Sequence, residues 1–422
     1  MKNNPLQTDP SCEDDYDSTS LDCDEAINRI LAAVSAIEDE ETVNIHDAFD
    51  RITATPIVSQ INVPGHVNSA VDGYAVAAGS LPAEGTSELE VVGSSFAGKP
   101  YSGAFGEGQA VRIMTGAVVP VGADLVIMQE NANRSGDTVV IDNRTKPGDN
   151  VRAAGEDIKV GEEVLAPGSH IGPAELGLIA SLGIAHVTVK RQIRVAFVST
   201  GDELKGVGQT LAPGEIYDSN RYTLFGMLKR MNVEIIDLGV VVDERDAVRS
   251  ALKEAASRAD MVITSGGVSV GEADYIKEIL QEIGEVKFWK VAMKPGRPLA
   301  FGKIGSAFFF GLPGNPVSVM VTFYQFVRPA LLKLMGGTAS DFITVQARAA
   351  NPLKKRPGRM EFQRGYLEIA EDGELRVSTD KDQGSGILSS MSRANCFIVL
   401  PIDQGRVEQG DWVAVQPFHG VI

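Results

Sequence analysis

The chain has 422 residues, of which 43% are hydrophobic, and a formal net charge of -17 at pH 7. Because domains usually contain about 100–200 residues, this length predicts two to four domains. The negative charge disfavours binding to nucleic acid or to an anionic membrane, since both repel an acidic protein at long range. No uncharged apolar run of about 18 residues occurs, and the N-terminal segment is acidic. We therefore expect no signal peptide, no membrane span and a cytoplasmic location.

The first part of the chain combines an acidic tail with one helix. Residues 1–20 are rich in Ser and Asp and nearly free of large apolar residues, so we expect them to be disordered. The stretch CDEAINRILAAVSAI then repeats apolar residues with a helical period, and Asp22 or Asp24 is a suitable N-cap. The three cysteines have neither metal-binding nor disulfide spacing, which predicts free thiols.

A β-rich region is predicted to interrupt the helical part of the chain. Residues 63–149 contain short β-forming runs broken by Gly, Pro and Asn, which predicts a small inserted β-rich domain. Residues 21–62 and 150–190 are then expected to form one discontinuous N-terminal linker domain. Pro173 is suited to begin a second helix there, and we expect residues 151–190 to pack back against the first helix.

The second half of the chain changes pattern twice. In residues 191–338, near-continuous apolar strands such as IRVAFVST, MVITSGG and SAFFFGLPG alternate with helical segments. This alternation predicts a doubly wound parallel sheet with helices on both faces. Residues 339–422 return to short alternating strands and predict a small β-sandwich or barrel-like domain. The fold class is therefore multidomain α/β plus β.

Four loops follow strands of the predicted parallel sheet. They are STGDEL (199–204), ITSGGVSVGEADY (263–275), KVAMKPGRP (290–298) and GLPGNPVS (311–318). Ligands of open parallel sheets bind outside the carboxyl ends of the strands. The four loops are therefore expected to line one edge of the sheet.

Two of these loops have the composition of ligand-binding turns. Ser265, Gly266 and Gly267 let the backbone approach a ligand and direct N–H groups at an anion such as phosphate, although a simple turn is the alternative. The loop GLPGNP has two prolines that make a stiff connection to the next helix, and a rigid helix start is the alternative there. The candidate residues of this stiff loop are Pro313, Gly314, Asn315 and Pro316.

Basic and acidic side chains are predicted at the same edge. The basic run consists of Lys287, Lys290, Lys294 and Arg297, with no acid between them. Because the run shares the edge with the Gly-Gly loop, anion binding is favoured over a solvated cationic face. The acidic residues of the edge are Asp202, Glu203, Asp243, Glu272 and Asp274. Carboxylates beside phosphate donors usually hold a hard cation such as Mg²⁺ or orient a reacting oxygen, whereas helix capping is the alternative for Asp202 and Asp243.

A second polar group falls in the β-rich region. Asp72 lies in SAVDGYAV and Thr115 lies in RIMTGA, each beside small residues that leave room for a ligand or another backbone. An Asx-type turn is the alternative interpretation of Asp72 followed by glycine.

The motifs SAVDGYAV, RIMTGA, GEDI, STGDEL, DSN, SGGVSVGEADY, KPGRP and GLPGNPVS occur in the order and spacing of a known family. In these motifs the chain resembles the molybdopterin molybdenumtransferases, which are the MoeA proteins and the C-terminal half of gephyrin. The resemblance covers about residues 20–422. Val71 replaces the usual Met and Val121 replaces a common Pro, and both are apolar exchanges.

The resemblance implies a reaction and an assembly. Members of the family insert molybdate into adenylylated molybdopterin and release AMP, with a divalent cation that is usually Mg²⁺, to form molybdenum cofactor. They are elongated homodimers of four domains, one of which is the α/β molybdopterin-binding domain. The expected protein partners are the adenylyltransferase that would hand over the labile substrate and the maturation factors of molybdoenzymes.

The resemblance also assigns roles to single residues. The implied catalytic residues are Asp72, Thr115, Asp157, Glu203, Asp243 and Asp274. The last three are also the expected metal ligands. Asp72 and Thr115 are expected to act across the dimer on the α/β edge of the partner. Lys290 and Lys294 match basic residues suited to molybdate or to the phosphates of the substrate.

Two other functions fit parts of the sequence. A molybdopterin adenylyltransferase shares the SGG and GLPGNP loops, but its single α/β domain would leave residues 20–190 and 339–422 without a role. A gephyrin-like scaffold is the alternative from another class, although no long linker or adenylyltransferase domain resembles that of gephyrin. The basic residues near the C-terminus are interpreted mainly as a solvated face. They are Lys354, Lys355, Arg356, Arg359 and Arg364.

Overall fold

The computed structural model describes residues 20–266, 275–337, 343–379 and 382–418. These residues divide into two compact units. The first unit contains the described residues up to Glu41, the segment Asp50–Ile52 and the described residues from Lys190 onwards. The second unit contains Thr42–Phe49 and Thr53–Val189. Within the described residues, no helix is both long enough and apolar enough to cross a membrane.

Several helices begin at residues that favour a first turn. They are α1 (Cys23–Ala33), α2 (Pro173–Ser181), α3 (Ser219–Arg230), α4 (Arg245–Arg258), α5 (Tyr275–Ile283), α6 (Pro316–Thr322), α7 (Arg328–Leu334) and α8 (Leu388–Arg393). Asp22 caps α1, because its side chain accepts a hydrogen bond from the N–H of Asp24. Pro173 and Pro316 occupy the first turns of α2 and α6, where a missing N–H costs nothing.

The strands before residue 191 are β1 (Glu40–Asn44), β2 (Ile57–Val58), β3 (Asn68–Ser69), β4 (Gly73–Val76), β5 (Thr86–Ser95), β6 (Gln109–Ile113), β7 (Leu125–Met128), β8 (Asn133–Ser135), β9 (Thr138–Asp142), β10 (Val151–Arg152), β11 (Glu163–Leu165) and β12 (His186–Lys190). Six of them form one sheet in the order β7-β4-β6-β5-β9-β8. This sheet is the inserted β-rich domain that the sequence predicts. Strand β4 lies antiparallel to β6, with Gly73 opposite Ile113, so Asp72 and Thr115 flank the same end of the pair.

The next strands are β13 (Arg194–Thr200), β14 (Leu204–Lys205), β15 (Ile216–Tyr217), β16 (Glu234–Val241), β17 (Met261–Ser265), β18 (Gly284–Lys290), β19 (Met293–Lys294), β20 (Pro298–Ile304) and β21 (Ala307–Leu312). The central sheet has the order β16-β13-β17-β21-β20-β18. Strands β16, β13, β17 and β21 are parallel, whereas β20 is antiparallel to both of its neighbours. The predicted doubly wound sheet is therefore confirmed, with one antiparallel strand near an edge. Because β18 is antiparallel to β20, it runs in the same direction as the four parallel strands.

Helices cover both faces of the central sheet. On one face, Phe197 and Ile263 of the sheet pack with Leu224 and Leu228 of α3. On the other face, Ala196 and Val262 pack with residues of α4 and α5. Neighbouring residues of a strand point to opposite faces, so both faces of each central strand must be apolar. This requirement explains why the central strands are near-continuous apolar runs in the sequence.

The C-terminal strands are β22 (Val345–Ala349), β23 (Met360–Ile369), β24 (Leu375–Thr379), β25 (Cys396–Leu400) and β26 (Trp412–Pro417). They pair in the order β23-β24-β22-β26-β25, and β25 also pairs with β23. The five strands therefore close into a barrel, as the barrel-like prediction required. Strand β19 adds to this sheet by pairing with β23, with Lys294 beside Glu361.

The first two helices belong to different compact units, so their predicted packing against each other stays a prediction. Ile30 of α1 is buried in the core of the first unit, together with Leu331 of α7. Ile179 of α2 is buried in the core of the second unit, with Ala48 and Ile57. The apolar face of each helix is thus covered by different residues. Helical periodicity marks the buried face of a helix but does not identify what covers that face.

A bidentate ion pair stabilises the beginning of the central sheet. The two terminal nitrogens of Arg191 donate to the two carboxylate oxygens of Asp260 at 2.9 and 3.0 Å. Asp260 also accepts a hydrogen bond of 2.7 Å from the backbone N–H of Arg194. Burial raises the pKa of Asp260, but the hydrogen bonds from Arg191 and Arg194 outweigh burial and lower the pKa overall. The pair therefore joins the segment before β17 to the beginning of β13.

We expect Asp260→Asn to lower the free energy of unfolding at pH 7 by on the order of 2 kcal/mol, because it removes the charge that Arg191 pairs with. A lowered pKa in the folded state stabilises the protein above the ordinary Asp pKa of about 3.9. The advantage of wild type over the variant should therefore shrink as the pH falls below about 4. Urea unfolding at several pH values measures this. Glu234→Gln, which removes the partner of the exposed Arg194, is the control with little expected effect. A difference that stays constant from pH 7 to pH 2 would contradict the assignment.

Candidate functional site

The parallel strands of the first unit bring polar residues to the side of the sheet that is formed by the carboxyl ends of the strands. We call this side the strand-end edge. Strands β13, β17 and β21 end at Thr200, Ser265 and Leu312. In the register of the sheet, Ser199 lies beside Ser265, and Ser265 lies beside Leu312. The loops after these strands therefore begin at the same edge, as the sequence predicts.

Gly266 makes a close turn at the end of β17. Its φ is +91°, a left-handed conformation that favours glycine, and a Cβ there would lie 2.9 Å from the carbonyl oxygen of Thr200. The N–H of Gly266 donates to the carbonyl of Leu312 at 3.2 Å. Only glycine therefore fits this position without strain. Gly267, Glu272 and Asp274 of the same motif lie outside the described residues.

The side chain of Asn220 joins the two ligand-binding loops predicted from the sequence. Its Nδ2 donates to Ser265 Oγ at 2.8 Å and to the carbonyl oxygen of Gly314 at 2.7 Å. Asn220 belongs to the DSN motif, for which the sequence predicts no role. It comes from the N-terminal turn of α3, and Asp218 caps that helix by accepting from the N–H of Arg221. An Asn that follows a capping Asp is an ordinary helix-start signal, so its distant contacts were not evident from the sequence.

The stiff loop is held on its other side by Ser385. Asn315 Nδ2 donates to Ser385 Oγ at 3.0 Å, and the N–H of Val317 donates to the Ser385 carbonyl at 3.1 Å. Pro313 is buried, while Gly314 and Asn315 are exposed. The contacts with Ser385 therefore hold the loop in place, while the backbone of Gly314 and Asn315 is exposed to solvent. Ser385 was missed in the sequence because it lies 70 residues from its partner in a segment without a motif.

Acidic residues gather at the β13 and β16 end of the edge. The N–H of Asp243 donates to Asp202 Oδ1 at 3.3 Å. Burial, followed by the negative charges of Asp202 and Glu203, raises the pKa of Asp243 above its ordinary value. The three carboxylates are thus close enough to repel one another. Capping does not explain Asp243, because the N-cap residue of α4 is Glu244.

Two of the three expected metal ligands lie among the described residues. Glu203 and Asp243 lie near each other at the edge, but Asp274 lies outside the described residues. Within the part of the chain that the structure describes, no group of three or more His, Cys, Asp or Glu side chains is arranged to hold a metal ion. The assignment of the metal ligands therefore stays a prediction.

Basic residues lie at the other end of the edge. Lys290 ends β18, and Lys294 lies in β19 with its Nζ 3.7 Å from a carboxylate oxygen of Glu361. Burial lowers the pKa of Lys355, Glu361 opposes this, and the positive charges of Arg359 and Lys294 lower it further. Lys294, Lys355 and Arg359 thus form a local group of cations in an acidic protein.

The interpretation of the C-terminal basic residues as a solvated face was wrong for two of them. The exposed fraction is 6% for Lys355 and 1% for Arg364. Arg364 Nε donates to Ser390 Oγ at 3.0 Å, and its Nη2 donates to the carbonyls of Asp382 and Gly384. Arg364 is therefore enclosed at the barrel. Lys354 and Arg356 are exposed, as expected.

In the second unit, Asp72 and Thr115 form a hydrogen-bonded pair. Asp72 Oδ1 accepts from the backbone N–H of Thr115 at 2.7 Å and from its hydroxyl at 2.8 Å. The backbone hydrogen bond first, and then the hydroxyl, lower the pKa of Asp72. Asp72 is therefore ionised at neutral pH and has a fixed orientation.

Asp157 lies apart from this pair. Its N–H donates to the carbonyl of Val63 at 3.0 Å, and its side chain is exposed. Among the described residues, no hydrogen bond or ion pair joins its carboxylate to Asp72 or Thr115. Asp72, Thr115 and Asp157 belong to the second compact unit, whereas the other described site residues belong to the first.

Comparison with known proteins gives three consecutive family matches. Residues 21–183 match the MoeA N-terminal region (domain I and II), and residues 196–333 match a probable molybdopterin binding domain. Residues 346–418 match the MoeA C-terminal region (domain IV). The matches follow the change from β-rich to α/β to barrel architecture along the chain.

Similar proteins agree over nearly the whole length. A molybdopterin molybdenumtransferase of Haemophilus influenzae is 46% identical over 95% of this chain and 100% of its own. Gephyrin of Dictyostelium discoideum is 34% identical over 94% of this chain and 62% of its own length. A molybdopterin biosynthesis MoeA protein from Pyrococcus horikoshii OT3 superposes with a TM-score of 0.81 at 31% identity, over 94% of this chain and 100% of that one. Sequence, fold and domain order thus agree, and the chain belongs to the MoeA family of molybdopterin molybdenumtransferases.

Proposed function

We propose that this protein inserts molybdate into adenylylated molybdopterin and releases AMP, forming molybdenum cofactor. The observation that carries the proposal is the strand-end edge of the first unit, where Asn220 joins the loop of Ser265 to the loop of Gly314. Acidic residues lie at one end of this edge and basic residues at the other. The relationship to the molybdopterin molybdenumtransferase of Haemophilus influenzae supports the same reaction.

The substrate is proposed to bind along this edge. Its phosphates and the incoming molybdate are anions, so they need hydrogen-bond donors and cations in a protein of net charge -17. The proposed binding residues are Ser265, Gly266, Gly267, Lys290, Lys294, Pro313, Gly314, Asn315 and Pro316. The small residues among them allow close approach of the backbone, and the lysines provide positive charge.

A divalent cation is proposed at the acidic end of the edge. The pKa of Asp243 is raised by burial and by the charges of Asp202 and Glu203, so a cation between these groups would relieve their repulsion. Carboxylate oxygens are the ligands that Mg²⁺ prefers. We propose Mg²⁺ as the cation, with Glu203, Asp243 and Asp274 as its ligands. When bound, it would neutralise negative charge on the phosphates of the substrate.

The chemical step is proposed to be a displacement at the adenylate phosphorus. The oxygen of a water molecule forms a bond to that phosphorus and remains in AMP, while the bridging oxygen of the phosphoanhydride leaves with the phosphate of molybdopterin and a proton of the water passes to solvent. The protein's part is to orient the groups and to stabilise charge that develops on the phosphoryl oxygens. Ser265 and Lys294 are proposed to contribute donors, Asp72 and Thr115 are proposed to act across the dimer on the edge of the partner protomer, and Asp157 is proposed as a further catalytic residue.

A homodimer is proposed as the active assembly. Exposed large apolar side chains of the first unit support it, namely Ile216 and Tyr217 of β15 and Tyr222 and Phe225 of α3. We also propose a cytoplasmic location, and partnership with the adenylyltransferase and with maturation factors of molybdoenzymes.

The two alternative functions, an adenylyltransferase and a gephyrin-like scaffold, are less favoured. The N-terminal and C-terminal family matches lie outside the single α/β domain of an adenylyltransferase, and most of the chain is shared with molybdenumtransferases.

We expect the purified protein to release AMP from adenylylated molybdopterin only when molybdate and Mg²⁺ are both present. Asp243→Asn should raise the Mg²⁺ concentration needed for half-maximal release at least tenfold, because it removes one of the negative charges that attract the cation. Chromatographic detection of AMP measures this. Asp246→Asn, at an exposed position in the first turn of α4, is the matched control. Equal Mg²⁺ requirements in both variants would contradict the assignment of Asp243 as a metal ligand.

We expect Thr115→Val to move the acid limb of the pH–rate profile to higher pH. The hydroxyl of Thr115 helps to lower the pKa of Asp72, so its loss lets that pKa rise towards the ordinary value of about 3.9. An ionised Asp72 would then be lost at a higher pH than in wild type. Thr115→Ser retains the hydroxyl and is the control. Identical acid limbs in all three proteins would show that Asp72 ionisation does not limit the reaction.

A mixing experiment tests whether Asp72 acts across the dimer. Asp72→Ala removes a proposed catalytic carboxylate of the second unit, and Asp243→Asn weakens Mg²⁺ binding in the first unit. At a Mg²⁺ concentration that saturates wild type but not Asp243→Asn, each homodimer should therefore have little activity. If each site combines residues of two protomers, mixed dimers contain one complete site. An equal mixture that has exchanged subunits should then recover about a quarter of wild-type AMP release. Sedimentation equilibrium verifies the dimer, and a mixture no more active than its components would argue for sites built within one protomer.

A further inference from the structure

The neighbouring hydrogen-bond acceptor determines which of the two amide groups of Asn220, NH₂ or C=O, faces the Gly314 carbonyl. A backbone carbonyl can only accept a hydrogen bond, so the group that faces the Gly314 oxygen must be the NH₂ of Asn220. The same nitrogen lies 2.8 Å from Ser265 Oγ. Because an amide NH₂ only donates, Ser265 must act as the acceptor in this contact.

This assignment fixes the role of the Ser265 hydroxyl. A serine whose oxygen accepts from Asn220 keeps its own proton for another acceptor. Among the described residues, no protein acceptor for that proton occurs, although the exposed fraction of Ser265 is only 3%. The hydroxyl is therefore available to donate to an anion that binds at the strand-end edge.

The same amide also holds the carbonyl oxygen of Gly314, which carries partial negative charge, away from the strand-end edge. The Gly314 carbonyl is held against Asn220, so it cannot rotate to face an anionic ligand near Gly266. A Cβ on Gly314 would lie 3.9 Å from the Cα of Gly266, so the two loops are in near contact. One side chain thus prepares a donor on one loop and removes an acceptor from the other.

The arrangement does not serve the stability of the helix. Asn220 Oδ1 is buried and has no protein partner among the described residues, which costs free energy in a folded protein. The N-cap hydrogen bond of α3 is already made by Asp218. An alanine at position 220 would avoid the unpaired oxygen, so the benefit of Asn220 lies in the contacts of its nitrogen.

We propose that Asn220 is a positioning residue that prepares the strand-end edge for an anion. It makes Ser265 a hydrogen-bond donor and directs the Gly314 carbonyl away, and the anion is the adenylate phosphate of the substrate. The proposal rests on the proposed function for the identity of this anion. The donor and acceptor directions follow from the hydrogen bonds alone.

The test compares two replacements of Asn220 in the full-length protein, with AMP as the probe. Asn220→Ala removes the amide, leaves Ser265 and Gly314 free to reorient, and should weaken AMP binding about tenfold. Asn220→Asp has the same shape but reverses the pattern, because its carboxylate accepts the Ser265 proton and repels the Gly314 carbonyl. It should weaken AMP binding at least tenfold further. Calorimetric titration gives the dissociation constants, and the KM for adenylylated molybdopterin should rise more than kcat falls.

Two controls separate positioning from charge and from packing. Ser219→Asp places the same negative charge one residue away at the exposed start of α3 and should bind AMP nearly as wild type does. Thr223→Ala removes a hydroxyl that bonds the Ser219 carbonyl one turn along α3. It should leave both AMP binding and the thermal unfolding midpoint close to wild type.

The order of affinities decides the proposal. A role in packing alone predicts that the isosteric Asn220→Asp binds AMP at least as well as Asn220→Ala, and that result would overturn the proposal. Wild type that does not bind AMP would overturn it as well. Wild type that binds AMP with the expected order among variants, but releases none from adenylylated molybdopterin, would leave the role of Asn220 standing and refute the proposed reaction.

Discussion

The candidate site depends on the parallel register of three buried strands. Ser199, Ser265 and Leu312 occupy equivalent positions at the ends of β13, β17 and β21. Apolar packing on both faces fixes this register, because Phe197 and Ile263 belong to one core and Ala196 and Val262 to the other. A slip by one residue would exchange the faces of a whole strand. Packing of the sheet interior thus determines where the polar loops begin.

The same register explains why a single side chain can reach both loops. Ser265 follows Thr264 in β17, so their side chains point to opposite faces of the sheet. Ser265 shares the face of Ile263, which α3 covers, and Asn220 of α3 bonds to it. The neighbouring strand β21 ends beside Ser265, which places Gly314 within reach of the same amide.

Patterns local in sequence predicted most of the fold. The apolar runs of the central strands, the N-cap of α1 and Pro173 at the start of α2 were correct, because burial and first-turn chemistry act over a few residues. The packing partner of α1 was not predictable, since an apolar helical face does not specify what covers it. The burial of Arg364 was missed for a similar reason. Its partners near residues 382–390 are contacts that depend on the closure of the barrel.

The positions of candidate residues were predictable where a motif placed them at the end of a strand, as for Ser265 and Gly266. Asp72 precedes β4 and Thr115 follows β6, and their contact agrees with the antiparallel register of these two strands. Asn220 and Ser385 contribute through contacts to residues 45 and 70 positions away. An Asn at a helix start and a Ser in a loop are both common, so only the tertiary structure distinguishes these two residues from others of their type.

The strand order places negative charge at one end of the strand-end edge and positive charge at the other. Asp243 and Asp202 lie at the β16 and β13 end, the loops of Ser265 and Gly314 lie in the middle, and Lys290 ends β18 at the far side. The cationic end is strengthened by the pairing of β19 with β23, which brings the C-terminal barrel beside Lys294. An acidic protein can bind an anionic substrate in this way, because local donors act at short range where the net charge is screened. A ligand that carries anionic groups together with a bound cation would favour one orientation along such an edge, since reversal would bring like charges together.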